Sequence, residues 1–386
     1  MLKSIIYICT FLFIFHVHSQ DSLSIKHHEQ ELSLLFVGDI MGHQSQINAA
    51  FNDNTGKYNY DSCFKYIAPV LSKADVTIAN LEVTLAGWPY AGYPQFSSPD
   101  ELAVALKNAG VDIMVTANNH SCDRRKQGLE RTIRVLDSLE IGHTGTFIDS
   151  ASRAREYPMI IEKNGFRIAL LNYTYATNGI PATFPNIVNL ISKKTIIADL
   201  TRAKAMKPDH IIVFMHWGLE YKQYPSKYQI DFYNLCKNNG ADLIIGSHPH
   251  VVQKMEFHKS HENPHLVAYS LGNFISNQRT SPRDGGAILQ VNLIKKDSIS
   301  QIKDAGYYLT WVYPPKVYNR KKFYVLPIAK FEALPSFFNS YSFNKMKAFA
   351  KGSRSLFRAE NKLVYEYKYN EESDSYYLSE VKEKIE

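Results

Sequence analysis

Cysteine is scarce in this chain. Four occur in 386 residues: Cys9 lies inside an apolar N-terminal run, and Cys63, Cys122 and Cys236 form an odd set with no close pair. That excludes a disulfide framework and leaves at least one thiol free. No cysteine stands where cleavage would make a lipoprotein. The one N-terminal apolar run falls short of the ~20 residues of a membrane-spanning helix. With 45% hydrophobic and 21% charged residues, the composition excludes wholesale disorder and a polytopic membrane protein. No low-complexity linker divides the chain, and no repeat of solenoid period is present. Charge is not strongly one-sided either. The net +7 is spread along the sequence; it fits an anionic substrate, an envelope surface or a solvated basic exterior, and predicts no nucleic-acid partner.

What is present begins with a short export pattern. Lys3 supplies a positive start, residues 5–17 an apolar run, and Val17-His18-Ser19 a small-residue cleavage site ahead of Gln20. We read 1–19 as a signal peptide. An uncleaved anchor is the alternative, and either way the body is expected outside the cytoplasm, as a periplasmic, cell-envelope or secreted protein.

Five apolar runs then follow one grammar. Residues 34–37 run into Gly38-Asp39, 76–79 into Asn80-Leu81-Glu82, 113–116 into Ala117-Asn118-Asn119-His120, 211–215 into His216, and 243–246 into Ser247-His248-Pro249-His250. Each reads as a buried strand that delivers a polar side chain at its carboxyl end. Helical periodicity lies between them, at 101–108, 129–139 and 228–238, the last closed by Gly240,. Strand, loop and helix in alternation predict an α/β layered domain. We place it at 32–300. From about 301 the strands end in no chemistry and Phe, Tyr, Lys and Glu dominate, so 301–386 reads as a C-terminal lobe or extension, with helical spacing at 343–356.

A carboxylate at a strand end is, taken alone, more often a cap than a ligand. Here the set is complete for a metal centre: carboxylates from Asp39 and Glu82, an amide oxygen from Asn119, and imidazoles from His216, His248 and His250. His248 and His250 flank one proline, which in an extended or turn conformation puts both rings on one side. Two divalent ions, Mn, Fe or Zn, are the expected cofactors, and His120 beside Asn119 is the candidate general acid. His143, His258, His261 and His265 lack this context and read as loop or surface residues.

GDIMGH from Gly38, NLEVTLAG from Asn80, ANNHSCD from Ala117, HWGLEY from His216, GADLIIGSHPHVVQ from Gly240 and YSLGNF from Tyr269 resemble, in order, the signature of the poly-gamma-glutamate capsule biosynthesis CapA family. The resemblance implies a calcineurin-like metallophosphoesterase fold, a layered β-sandwich flanked by helices. It also implies Asp39 and His250 on one metal, Asn119, His216 and His248 on the other, and Glu82 bridging. Two departures stand out. Met41 occupies the place where phosphoesterases carry a histidine, leaving water or His43 to serve the first metal, and Glu82 replaces an aspartate. Arg124 and Arg125 are candidate anion contacts. Trp217, Glu220 and Tyr221 either line the substrate pocket or pack against the sheet, and Asn273 either bonds a loop beside the metals or stabilises a turn.

Three functions follow as expectations. The first is synthesis, transfer or anchoring of an anionic surface polymer through a metal-dependent hydrolase-like site, within a membrane-associated capsule-synthesis complex. The second is a secreted metallophosphatase or phosphodiesterase acting on a phosphorylated envelope substrate. The third is a non-enzymatic scaffold or polymer-binding subunit.

Overall fold

Alternation within one strand sets the architecture. In Glu29–Ile40, Leu32, Leu34 and Phe36 enter one core while Leu35 and Val37 enter another. Side chains alternate with period two, so a strand apolar at both phases must be covered on both faces. The computed structural model describes residues 29–260 and 264–379; the expected signal peptide and His261 lie outside them.

Among the described residues, ten strands form the first sheet. Its path runs Ser375–Leu378, Tyr365–Asn370, Ile299–Tyr313, Gly285–Lys296, Glu29–Ile40, Val76–Leu81, Ile113–Val115, Gly142–Thr144. Off this path, Asn273–Ile275 pairs beside Asp39 and Tyr324–Pro327 pairs with Ile299–Tyr313. A six-stranded sheet runs Met255–His258, His265–Ala268, Leu243–Ser247, His210–His216, Phe166–Thr174, Met159–Lys163. The two face each other across a shared core, with Leu34, Phe36 and Ile78 from the first meeting Leu170, Phe214 and Ile245 from the second. Fully burying each such side chain contributes about 1.5–3 kcal/mol.

Helices cover the outer faces. Leu102 and Leu106 of Glu101–Asn108 and Leu136 of Arg125–Ser138 close over the first sheet. Ile196 and Leu200 of Lys193–Ala205, with Phe232 and Cys236 of Lys227–Asn238, close over the second. The latter helix starts on a capping box between Ser226 and Gln229, which satisfies backbone donors that the first turn cannot. None of the described helices is long and apolar enough to cross a membrane.

The C-terminal stretch is built differently from the appended lobe the sequence predicts. Ile299–Tyr313 pairs with Gly285–Lys296 along its length, so a boundary at 300 falls inside a hairpin. Tyr307, Leu309, Trp311 and Tyr313 point into the inter-sheet core, and Phe349 and Phe357 of the helix Ser340–Glu360 join them. Pairing with Gly285–Lys296, with alternate side chains sent to two cores, makes this segment part of the first sheet,. His265 likewise departs from the surface reading. It sits buried on a strand, where its Nε2 lies 2.8 Å from the Tyr233 hydroxyl.

Candidate metal centre

The strands that carry the site run parallel, so their carboxyl ends gather at one edge of the sandwich. Glu29–Ile40, Val76–Leu81 and Ile113–Val115 are parallel neighbours in the first sheet, as are His210–His216 and Leu243–Ser247 in the second. Asp39, Glu82, Asn119, His216, His248 and His250 leave these ends and are all buried. Gly38 lets the first strand reach the site. A Cβ there would stand 2.1 Å from the Gly272 carbonyl oxygen.

Asp39 is held by three donors or near-donors. Its Oδ1 accepts from Asn80 Nδ2 at 2.8 Å, its Oδ2 accepts from the His248 backbone N–H at 3.3 Å, and His250 Nδ1 lies 3.0 Å from the same oxygen. His216 Nε2 lies 2.7 Å from Asn119 Oδ1 and 3.5 Å from Glu82 Oε1, while its Nδ1 meets Ser247 Oγ at 2.9 Å. Asn119 is steadied by Asn178, whose Oδ1 accepts from its Nδ2 at 3.2 Å. His248 (φ 97) and His250 (φ 57) both have left-handed backbone. Such residues cost of order 1–3 kcal/mol each and persist where surrounding structure fixes them.

Electrostatics decide what this cluster is for. Burial, then the adjoining Asp39 carboxylate, push Glu82 well above its ordinary value. Neither Glu82 oxygen receives a hydrogen bond, and His248 Nδ1 also has no partner. Burial first, then the other imidazoles, hold His216 well below the usual range and His248 down to about 3. Neutral imidazoles facing buried carboxylates are poor ion-pair partners but good metal ligands. Two acidic groups can be relieved by a shared proton or by a cation between them, and the surrounding nitrogen lone pairs favour the cation.

Ligand atoms fall into groups that fit this reading. Among the described residues, Asp39, Glu82 and His250 offer atoms within 4.8 Å of one another, as do Glu82, His216 and His248, and Glu220, His248 and His250. Glu82 belongs to both of the first two groups, the position of a bridge. The donor set of carboxylate, amide oxygen and imidazole suits hard or borderline divalent metal.

His120 stands next to this cluster. Its Nδ1 lies 2.7 Å from Asp123 Oδ2, which also accepts from the Phe96 N–H at 2.6 Å, and the Phe96 ring packs 4.6 Å from the imidazole. A cavity of about 240 Å³ opens here, bordered by Tyr93, Gln95, Asn119, His120, Asn178 and Glu220.

Other sequence candidates fall in different places. Trp217 is fully buried, its indole N–H bonded to the Tyr269 carbonyl at 2.9 Å, so it packs against the sheet and does not reach substrate. Arg124 bonds the Gln95 carbonyl at 3.1 Å, and the exposed Arg125 starts its helix at φ 50; neither lines the cavity. Glu220 does line it, and Tyr221 lies half-exposed with its ring 6.2 Å from His250 and the Arg283 guanidinium 4.4 Å above it. His43 caps a helix, accepts from the Asn277 N–H at 3.2 Å and belongs to none of the ligand groups. Burial pulls its pKa down to about 4. Asn273 ties the following turn, donating to the Arg283 carbonyl and to Gln278. Sequence reasoning missed Asn80, Asp123, Asn178, Ser247 and Tyr175, whose ring lies 4.5 Å from His248. Only Asp123, three residues after His120, carried a readable signal.

Residues 33–278 match the family described as bacterial capsule synthesis protein PGA_cap. The chain is similar to the capsule biosynthesis protein CapA of Bacillus anthracis, 28% identical over 283 residues, covering 70% of this chain and 66% of that one. It is also similar to the PGA biosynthesis protein CapA of Bacillus subtilis (strain 168), 27% identical over 301 residues and covering 75% of each. The chain thus spans just under two thirds of the first relative's length. Among solved structures, the calcineurin-like phosphoesterase YfkN from Bacillus subtilis aligns with a TM-score of 0.43 at 14% identity, over 85% of this chain and 98% of that one.

Proposed function

Because the chain belongs to the bacterial capsule synthesis protein family PGA_cap, we propose that it serves the synthesis, transfer or anchoring of an anionic surface polymer such as poly-gamma-glutamate. It does so outside the cytoplasm, beside a membrane-associated synthesis complex, through a metal-dependent hydrolase-like centre. The observation that carries the centre is Glu82, buried without a donor and common to two groups of ligands. Asp39, Glu82 and His250 would hold one ion, and Glu82, Asn119, His216 and His248 the other.

Two divalent ions bound there supply Lewis-acid polarisation of a substrate oxygen and activation of the attacking water. The protein's own residues do the rest. Asn80 and the His248 N–H fix Asp39, Ser247 fixes His216, and Asp123 orients His120 so that its far nitrogen can give a proton to a leaving group. Deletion of the gene should lower cell-surface polymer, and complementation with His248→Ala/His250→Ala should not restore it. Unchanged polymer in the deletion strain would count against the reading. The His120–Asp123 pair, set beside the cavity, also favours a second reading, phosphoester hydrolysis; metal-dependent turnover of a model phosphoester, lost in His120→Ala, would support it.

A further inference from the structure

The two groups of ligands are unequal. On one side Glu82, His216 and His248 are joined by the Asn119 oxygen, 2.7 Å from His216. On the other stand Asp39, Glu82 and His250, and the nearby Met41 offers only a buried thioether, a soft donor that hard ions bind poorly,. Hard divalent ions prefer about six donors, so this side has more room for an added oxygen.

A third carboxylate, that of the solvent-exposed Glu220, stands near that point. Glu220 offers an oxygen within 4.8 Å of ligand atoms of both His248 and His250, while atoms sharing one ion at ~2.0–2.2 Å stand somewhat closer than this. A small side-chain adjustment closes the gap. The turn bearing Glu220 is pinned to the histidine pair at both ends: the Trp217 N–H donates to the Ser247 carbonyl at 3.1 Å and the Tyr221 N–H to the Pro249 carbonyl at 2.8 Å. Gly218 (φ 93) makes the turn, and a Cβ there would meet the Gln229 side chain at 2.6 Å. His248 Nδ1, buried and without a partner, is an independent sign that the centre Glu220 borders is built for an ion. Charge points the same way. Asp39 and Glu82 offset only part of the charge of two divalent ions in a buried site, and a third carboxylate offsets more.

We propose that Glu220 is a metal ligand, contributed from the mouth of the site to the ion on the His250 side. Glu220 also borders the cavity beside His120, so an incoming anionic substrate group would compete with its carboxylate for the ion. This rests on the metal-centre reading, and the test separates the two. Full-length protein stripped with a chelator is titrated with Mn2+, and separately loaded with Co2+ for its visible d–d bands, in wild type and Glu220→Gln. Wild type should take up two ions. In the variant the weaker of the two should lose affinity by at least about 10-fold, the lower range seen when even an outer-shell partner is removed, and the cobalt bands should change. Equal affinities and superimposable bands in the two proteins would overturn the role of Glu220 while leaving the centre standing. No uptake by wild type would overturn the centre and the ligand together.

Discussion

Glu82→Gln should reverse its effect on stability according to whether metal is present. In chelator at neutral pH, wild type keeps a buried acidic group against Asp39 with no donor to either oxygen. Its pKa is raised on folding, so its contribution is most favourable below the unfolded value and is lost as pH rises towards the folded one. The variant cannot ionise and can donate its amide N–H to Asp39. Relief of an unsatisfied buried polar group corresponds to about 1–3 kcal/mol, so apo Glu82→Gln should melt several degrees above apo wild type at pH 8, and the difference should shrink towards pH 5. Metal inverts the order. A ligand at 100-fold its Kd adds about 2.7 kcal/mol to the folded state, and wild type should gain it while the variant gains little. Thermal unfolding in EDTA and in saturating Mn2+, at both pH values, reads all four states. Wild type melting above the variant in EDTA at pH 8, or equal metal-induced shifts in the two proteins, would refute the reasoning.

Further outcomes follow from the same geometry. His120→Ala should lower kcat on any turned-over ester by about 10²–10⁴-fold with metal content unchanged; Asp123→Asn should lose less and displace the pH profile of kcat. Trp217→Ala should destabilise by about 3–5 kcal/mol in chemical denaturation, yet the folded fraction should bind metal as wild type does, because the indole serves the core. Gly38→Ala drives a methyl into the Gly272 carbonyl and should cost about 1–3 kcal/mol while weakening metal uptake, as measured by calorimetric titration.

Much of this site could be read from sequence because local and long-range signals coincide at its strand ends. Each run into Asp39, Glu82, His216 and His248 is short, apolar and bounded, and the helix at Glu101–Asn108 follows directly from its spacing. What escaped depends on partners distant in the chain. Trp217 is hidden because the Tyr269 carbonyl receives its N–H, a contact no local pattern reports. The left-handed backbone at His248 and His250 depends on the packing around them, since a positive φ is uncommon for any residue other than glycine. The C-terminal strands were obscured because Ile299–Tyr313 mixes lysine and aspartate at its start with aromatics further on, and its register is set by pairing with other strands, chiefly Gly285–Lys296.

A two-ion centre built by these residues fixes the metal content per chain, which can be measured. Protein expressed with Mn, Fe and Zn available and analysed by elemental mass spectrometry should hold close to two ions in wild type and few in His248→Ala/His250→Ala. Equal content in the two proteins, or none in either, would contradict it.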